Sequence, residues 1–238
     1  MTIEYVVFVL LGFFASIISA VFGFGTALVV LALGSHVLPI KETIALATVL
    51  FAVTTISKTV LFTKHIDWRV VATMPIASLP FAYLGAMLLT HVPAQLLKRL
   101  LGIMVLIYIV MTYYKLFPKV RIGTLGLIFS SASYGFLSGL LGSGNLIKAI
   151  LFKEIKLTKE AFVGAMAATS VLSNLAKLTA YTKSGLLTTN LLWPVLGLVI
   201  SGTMAVFLGR YILRDITVTQ FERSVQVVLA VSTIGLLF

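Results

Sequence analysis

Two apolar runs, residues 5–34 and 123–152, constrain this chain most: each is about 30 residues long, and each is interrupted by two glycines one residue apart, in Gly23-Phe24-Gly25 and in Gly142-Ser143-Gly144. A straight helix of that length would measure roughly 45 Å, well beyond the ~30 Å hydrocarbon core of a bilayer. Glycines so spaced make a poor helix interior and a good hinge. Each run is therefore expected to open its half of the chain as a glycine-broken helix or hairpin. Six further apolar runs follow, at 44–62, 70–89 and 96–114, then at 161–182, 187–208 and 221–238. Apolar side chains make up 60% of the 238 residues, against 18 Lys and Arg and 7 Asp and Glu. That share is far above a soluble domain's, and segments of this kind satisfy their backbone in lipid only as helices. The expected fold class is an all-α polytopic membrane protein. A soluble enzyme, a disordered tail, a collagen-like fibre and a secreted disulfide scaffold are excluded. The absence of cysteine removes disulfides and thiolate metal sites. The first twenty residues lack a basic stretch and a cleavage site and carry Glu4, so they read as a retained membrane segment.

The second half repeats the plan of the first. A shift of 119 pairs Ser19 with Ser138, Gly23 with Gly142, Gly25 with Gly144, Lys58 with Lys177 and Pro75 with Pro194; beyond Pro75 the register drifts by about five residues, matching Gly85 to Gly209. A glycine break, an intramembrane lysine and a proline in one register point to an internal duplication, with repeats at 1–118 and 119–238. If each long run crosses the membrane once, the repeats are parallel. The 16 cationic residues other than Lys58 and Lys177 then divide ten against six between the two sides. If each broken run returns as a hairpin, the repeats are inverted and the division is twelve against four, with Lys148, close to the second break, among the twelve. The positive-inside rule prefers the inverted arrangement, and both arrangements put the termini outside the cytoplasm. The net charge of +11 lies in short loops, densest at Lys153, Lys156 and Lys159. It reports membrane orientation and attraction to anionic lipid, not a nucleic-acid partner. Trp68, Tyr113 and Tyr114 stand where an aromatic belt would lie.

Charge at mid-depth costs at least about 2.5–3.5 kcal/mol, so residues there are informative. All seven acids fall in loops or at helix ends. Lys58 and Lys177 do not. Thr54 and Thr55 precede Lys58, and Ser173 and Asn174 precede Lys177, at spacings that put each set on one helix face. A lysine can snorkel to the headgroups, but a matched pair with a polar stripe points to a site. At the breaks, a helix starting within the membrane offers free N–H groups and a partial positive charge. Such a start attracts anions and must line a cavity rather than face lipid. The expected helix starts are Gly25-Thr26-Ala27 and Gly144-Asn145-Leu146, with Thr26 and Asn145 adding side-chain donors. Two such breaks related by a two-fold are the pattern of a secondary-transporter site. The candidate substrate-binding set is thus Gly23, Phe24, Gly25, Thr26, Thr54, Thr55, Lys58, Gly142, Ser143, Gly144, Asn145, Ser173, Asn174 and Lys177. Converging donors without an acid suit a compact oxyanion.

The two-repeat layout, the glycine break opening each half and the following Ser/Thr-rich helix with Lys58 or Lys177 resemble the sulfite exporter family TauE/SafE, over residues 5–238. The breaks here, FGFGTALVVLAL and LLGSGNLIKAIL, carry fewer glycines than is usual in that family and lack its following proline. The resemblance implies a permease of the prokaryotic plasma (inner) membrane that moves sulfite, an organosulfonate or a related small anion by alternating access between the repeats. No cofactor or metal is expected; membrane lipid is a partner, and a coupling ion (Na+ or H+) and a homo-oligomer stay open. An anion channel would use the same donors and positive field. A membrane-embedded enzyme is the rival of a different class, but His36, His65 and His91 all sit at segment ends, and no acid accompanies a serine within the membrane. A scaffold would have no use for two matched intramembrane lysines.

Overall fold

The computed structural model describes residues 3–22, 26–114, 124–145, 147–148, 152 and 159–212. Its helices are α1 (Ile3–Phe22), α2 (Thr26–Val37), α3 (Ile40–Phe62), α4 (Trp68–Leu89), α5 (Ala94–Tyr113), α6 (Thr124–Leu141), α7 (Lys159–Lys183) and α8 (Leu192–Ile212), and no strand occurs among the described residues. Six of them are long and apolar enough to cross a bilayer by length and composition, so the chain is an all-α polytopic membrane protein. The run at 221–238, like Lys153 and Lys156, lies outside the described residues.

The second break lies among the described residues. Helix α1 ends at Phe22 and α2 opens at Thr26, while Gly23, Phe24 and Gly25 lie outside the described residues. At the second break α6 ends at Leu141, Gly142 turns to φ +81, and helical backbone resumes at Asn145. A positive φ costs a side chain roughly 1–2 kcal/mol and glycine almost nothing. The first break falls late in its run. Helix α1 has 20 residues and α2 only 12, about 30 Å against about 18 Å at 1.5 Å per residue. Gly34 of α2 lies so close to Phe8 that a Cβ there would stand 2.6 Å from the ring, so α2 doubles back along α1 as a hairpin.

Helices α3 and α7 form the centre of the bundle: 67% and 72% of their apolar windows are buried, against 24–39% in the other four spans. They run antiparallel, because Gly164 near the start of α7 packs on Phe62 at the end of α3 and on Ile66 just beyond it, while Asn174 meets Thr55 further along. The outer contacts are parallel. Gly135 of α6 faces Ser78 of α4, and Gly139 faces Ala82 and Ala86. On the other side Val9 of α1 meets Gly197 of α8, and Ile17 meets Gly209. Close approach through small residues is how helices associate when lipid removes any hydrophobic drive between them. Exposed Phe14, Ile76, Phe129, Trp193 and Ile200 cover the outside with side chains that suit lipid.

The packing also locates the register drift. Gly85 and Gly209 are each the eighteenth residue of their helices, and a Cβ on either would run into a carbonyl, that of Phe136 or of Ile17. Those carbonyl residues are 119 apart. Pro75, by contrast, is the eighth residue of α4 and Pro194 the third of α8. The two prolines therefore do not occupy corresponding turns, and the offset enters in the connection before these helices rather than after Pro75.

A Cβ on Gly139 would collide with the Ala82 carbonyl, a backbone atom that cannot step aside, whereas one on Gly197 would meet only the Val9 methyls at 3.2 Å. Gly139→Ala is expected to lower stability by about 1–3 kcal/mol and Gly197→Ala by much less, as read from thermal unfolding in detergent. Equal midpoints would show that the α4–α6 contact is looser than described.

Candidate functional site

Polar side chains deep in this bundle converge on one small cavity between α1, the start of α2, α3, α6, the second break and α7. It is lined by Ser19, Thr26, Ala27, Phe51, Thr54, Thr55, Lys58, Tyr134, Ser138, Gly142, Ser143, Asn145, Met166, Ala167, Ser170, Asn174 and Lys177. Its volume is about 30 Å³, by a measure on which one water needs roughly 10–15 Å³. The space therefore suits a compact ion.

Lys58 and Lys177 are 3% and 1% exposed, so neither snorkels. Each ammonium donates to a serine 39 residues earlier: Lys58 Nζ to Ser19 Oγ at 2.8 Å and Lys177 Nζ to Ser138 Oγ at 3.1 Å. Lys177 also donates to the Gly142 carbonyl at 3.2 Å. An ammonium carries three protons, so among the described residues Lys58 keeps two and Lys177 one for a guest. Between them Asn174 Nδ2 donates to Thr55 Oγ1 at 3.1 Å, joining α7 to α3 across the cavity. The Thr54 and Thr55 hydroxyls turn back onto the Phe51 carbonyl.

Helix α2 opens at Thr26 and helical backbone resumes at Asn145, and both residues lie in the cavity wall. The first N–H groups of α2 have no partner within their own helix. At Asn145 the backbone N–H takes Ser143 Oγ at 3.4 Å. Of the residues expected at the site, Thr26, Thr54, Thr55, Lys58, Gly142, Ser143, Asn145, Asn174 and Lys177 meet at the cavity. Gly23, Phe24 and Gly25 lie outside the described residues. Gly144 packs against Tyr134. Ser173 faces Ser78 of α4, Oγ to Oγ 3.1 Å, and so joins helices rather than lining the cavity.

Sequence reasoning passed over several residues. Ser19 and Ser138 were visible as a matched pair, but only distance makes them lysine partners. Tyr134 and Ser170 carry no sequence signal. Lys148, counted among the loop cations, is fully buried. It donates to the Met166 carbonyl at 2.9 Å, to Thr169 Oγ1 at 3.3 Å and to Ser170 Oγ, and its Nζ stands 4.4 Å from the centre of the Tyr134 ring. The count of loop cations on that side falls by one and still favours the same orientation. Among the described residues no Asp or Glu lines the cavity, and no cluster of His, Asp or Glu could hold a metal. The lysine protons left unbonded among the described residues, with no carboxylate beside them in the described lining, fit the chemistry of anion binding.

The comparisons agree with that chemistry. The family model described as sulfite exporter TauE/SafE matches residues 8–236, so the chain belongs to this family of membrane transporters. No curated protein matches it, and no solved structure does.

Ser138→Ala would leave Lys177 with the Gly142 carbonyl as its remaining partner among the described residues. A hydrogen bond to a charged group contributes about 1.5–3 kcal/mol, and stability is expected to fall by that order in thermal unfolding. Saturating anion should restore part of the loss, because a ligand that binds the folded state stabilises it. An unchanged midpoint would remove Ser138 from the site.

Proposed function

We propose that the protein is a secondary transporter exporting a small anion, sulfite or a small organosulfonate, by alternating access at a cavity between inverted repeats, residues 1–118 and 119–238. The observation that carries the reading is the matched pair Lys58 and Lys177, each buried and bonded to its matched serine, facing one cavity with no carboxylate among the described lining residues. Placing two cations there without an acid to neutralise them is costly. A guest bearing negative charge lowers that cost, and removing the guest restores it. The near-complete burial of both lysines favours a carrier over a channel.

The inverted arrangement draws support from the directions of the helices. Antiparallel α3 and α7 touch through Thr55 and Asn174, which are 119 residues apart. A residue meets its own equivalent only on a two-fold axis, and for antiparallel helices that axis lies across them. The outer contacts are reciprocal in the same sense, α1 with α8 and α4 with α6, both parallel. In this reading Lys64 faces the cytoplasm of a prokaryotic cell, Lys183 faces outward, and both termini are extracytoplasmic.

Two measurements test these proposals. In proteoliposomes, Lys58→Met and Lys177→Met are each expected to cut saturable sulfite flux about 10–100-fold, the effect of losing a charged hydrogen bond, while Lys183→Gln at the exposed end of α7 leaves it unchanged. Wild-type flux in the double lysine variant would overturn the site. The chain has no cysteine, so single cysteines can replace Lys64 and Lys183 without background. An impermeant maleimide should reach them from opposite sides of the membrane, and labelling from the same side would mean parallel repeats.

A further inference from the structure

Lys148 breaks the symmetry of the cavity. The 119-residue register sets Tyr134, Lys148, Thr169 and Ser170 of the second half against Ala15, Val29, Leu50 and Phe51 of the first. All four first-half residues are buried. The same place in the fold is thus filled once by an apolar cluster and once by an ammonium with its acceptors. An apolar cluster can evidently fill this place, so the cation has another reason to be there. Thr169 Oγ1 donates to the Ala165 carbonyl and Ser170 Oγ to the Met166 carbonyl, so both hydroxyls can accept from Lys148, and with the Met166 carbonyl they offer its ammonium three acceptors.

Those same bonds leave Lys148 no proton for a guest. It stands behind the wall, one residue away from the cavity that Tyr134, Met166 and Ser170 line. Its action on a guest is therefore through its charge. Such a field scales with the charge of the guest: a dianion feels it twice as strongly as a monoanion. The second half contributes two of the three buried lysines, Lys148 and Lys177, and the first half only Lys58, so more of the positive charge comes from the second half.

We propose that Lys148 is a charge-selectivity residue that makes this site prefer divalent oxyanions to monovalent ones, with the anion held off the two-fold axis toward the second half. The inference rests on the cavity being the anion site. Sulfate and methanesulfonate form the test pair, both tetrahedral and of similar size, differing by one charge. Calorimetric titration of the full chain in nanodiscs should show wild-type protein binding sulfate more tightly. In Lys148→Met, methanesulfonate affinity should fall roughly tenfold and sulfate affinity roughly a hundredfold, because the lost interaction is linear in guest charge. Lys148→Arg keeps the charge and should keep the preference. A residue with only a structural role would, on removal, lower both affinities by the same factor and leave their ratio unchanged. That outcome overturns the proposal, as does equal wild-type affinity for the two anions, which needs no variant to fold. Wild-type protein that binds neither anion overturns the anion site itself, whereas binding with an unmoved ratio leaves the transport reading standing and removes only the role of Lys148.

Discussion

An ammonium group taken out of water must find oxygen acceptors, and the interior of this bundle is organised around that demand. Lys58, Lys148 and Lys177 are all buried, and each reaches oxygens supplied by a neighbouring helix or turn. The acceptors are hydroxyls and backbone carbonyls, none of which carries a full negative charge. Among the described residues the acceptors take all three protons of Lys148 but only one of Lys58 and two of Lys177, and they leave the charge uncompensated, unlike a buried salt bridge. A carboxylate partner would have neutralised the lysines and removed their attraction for a guest.

The glycines serve this arrangement in two ways. At Gly142 the chain turns through a positive φ, and its carbonyl accepts from Lys177, so the break both ends a helix and supplies an acceptor. At Gly85, Gly135 and Gly139 the absence of a side chain lets α4 and α6 touch backbone to backbone. That contact leaves α6 in place to deliver Tyr134 and Ser138 to the cavity. Packing and chemistry are linked here: a helix pair held apart by one methyl group would also displace the partners of the lysines.

Much of the candidate site was legible because the sequence sets matching residues at a constant spacing of 119. The register that aligned Gly23 with Gly142 and Lys58 with Lys177 also contained Ser19 with Ser138, Thr26 with Asn145 and Thr55 with Asn174, and of these the described residues all line the cavity. Ser173 illustrates the limit. Helical spacing put it on the face of Asn174 and Lys177, but one step round the helix was enough for its hydroxyl to meet Ser78 instead. Lys148 shows a different limit, since a lysine a few residues from a glycine break reads equally as a loop cation or an interior one.

The amino-acid sequence by itself determined that the chain is helical and lives in lipid, that its long runs break at glycines, and that two lysines stand where a charge is costly. These follow from hydropathy, segment length and spacing, which are local properties. Only the tertiary structure decided which oxygens receive the lysine protons, that α2 folds back on α1, that the proline pair is out of step, and that Lys148 is a third interior cation. Each of these depends on groups 18 to 39 residues apart or on separate helices. A linear pattern carries no distance between such groups until helix packing sets it.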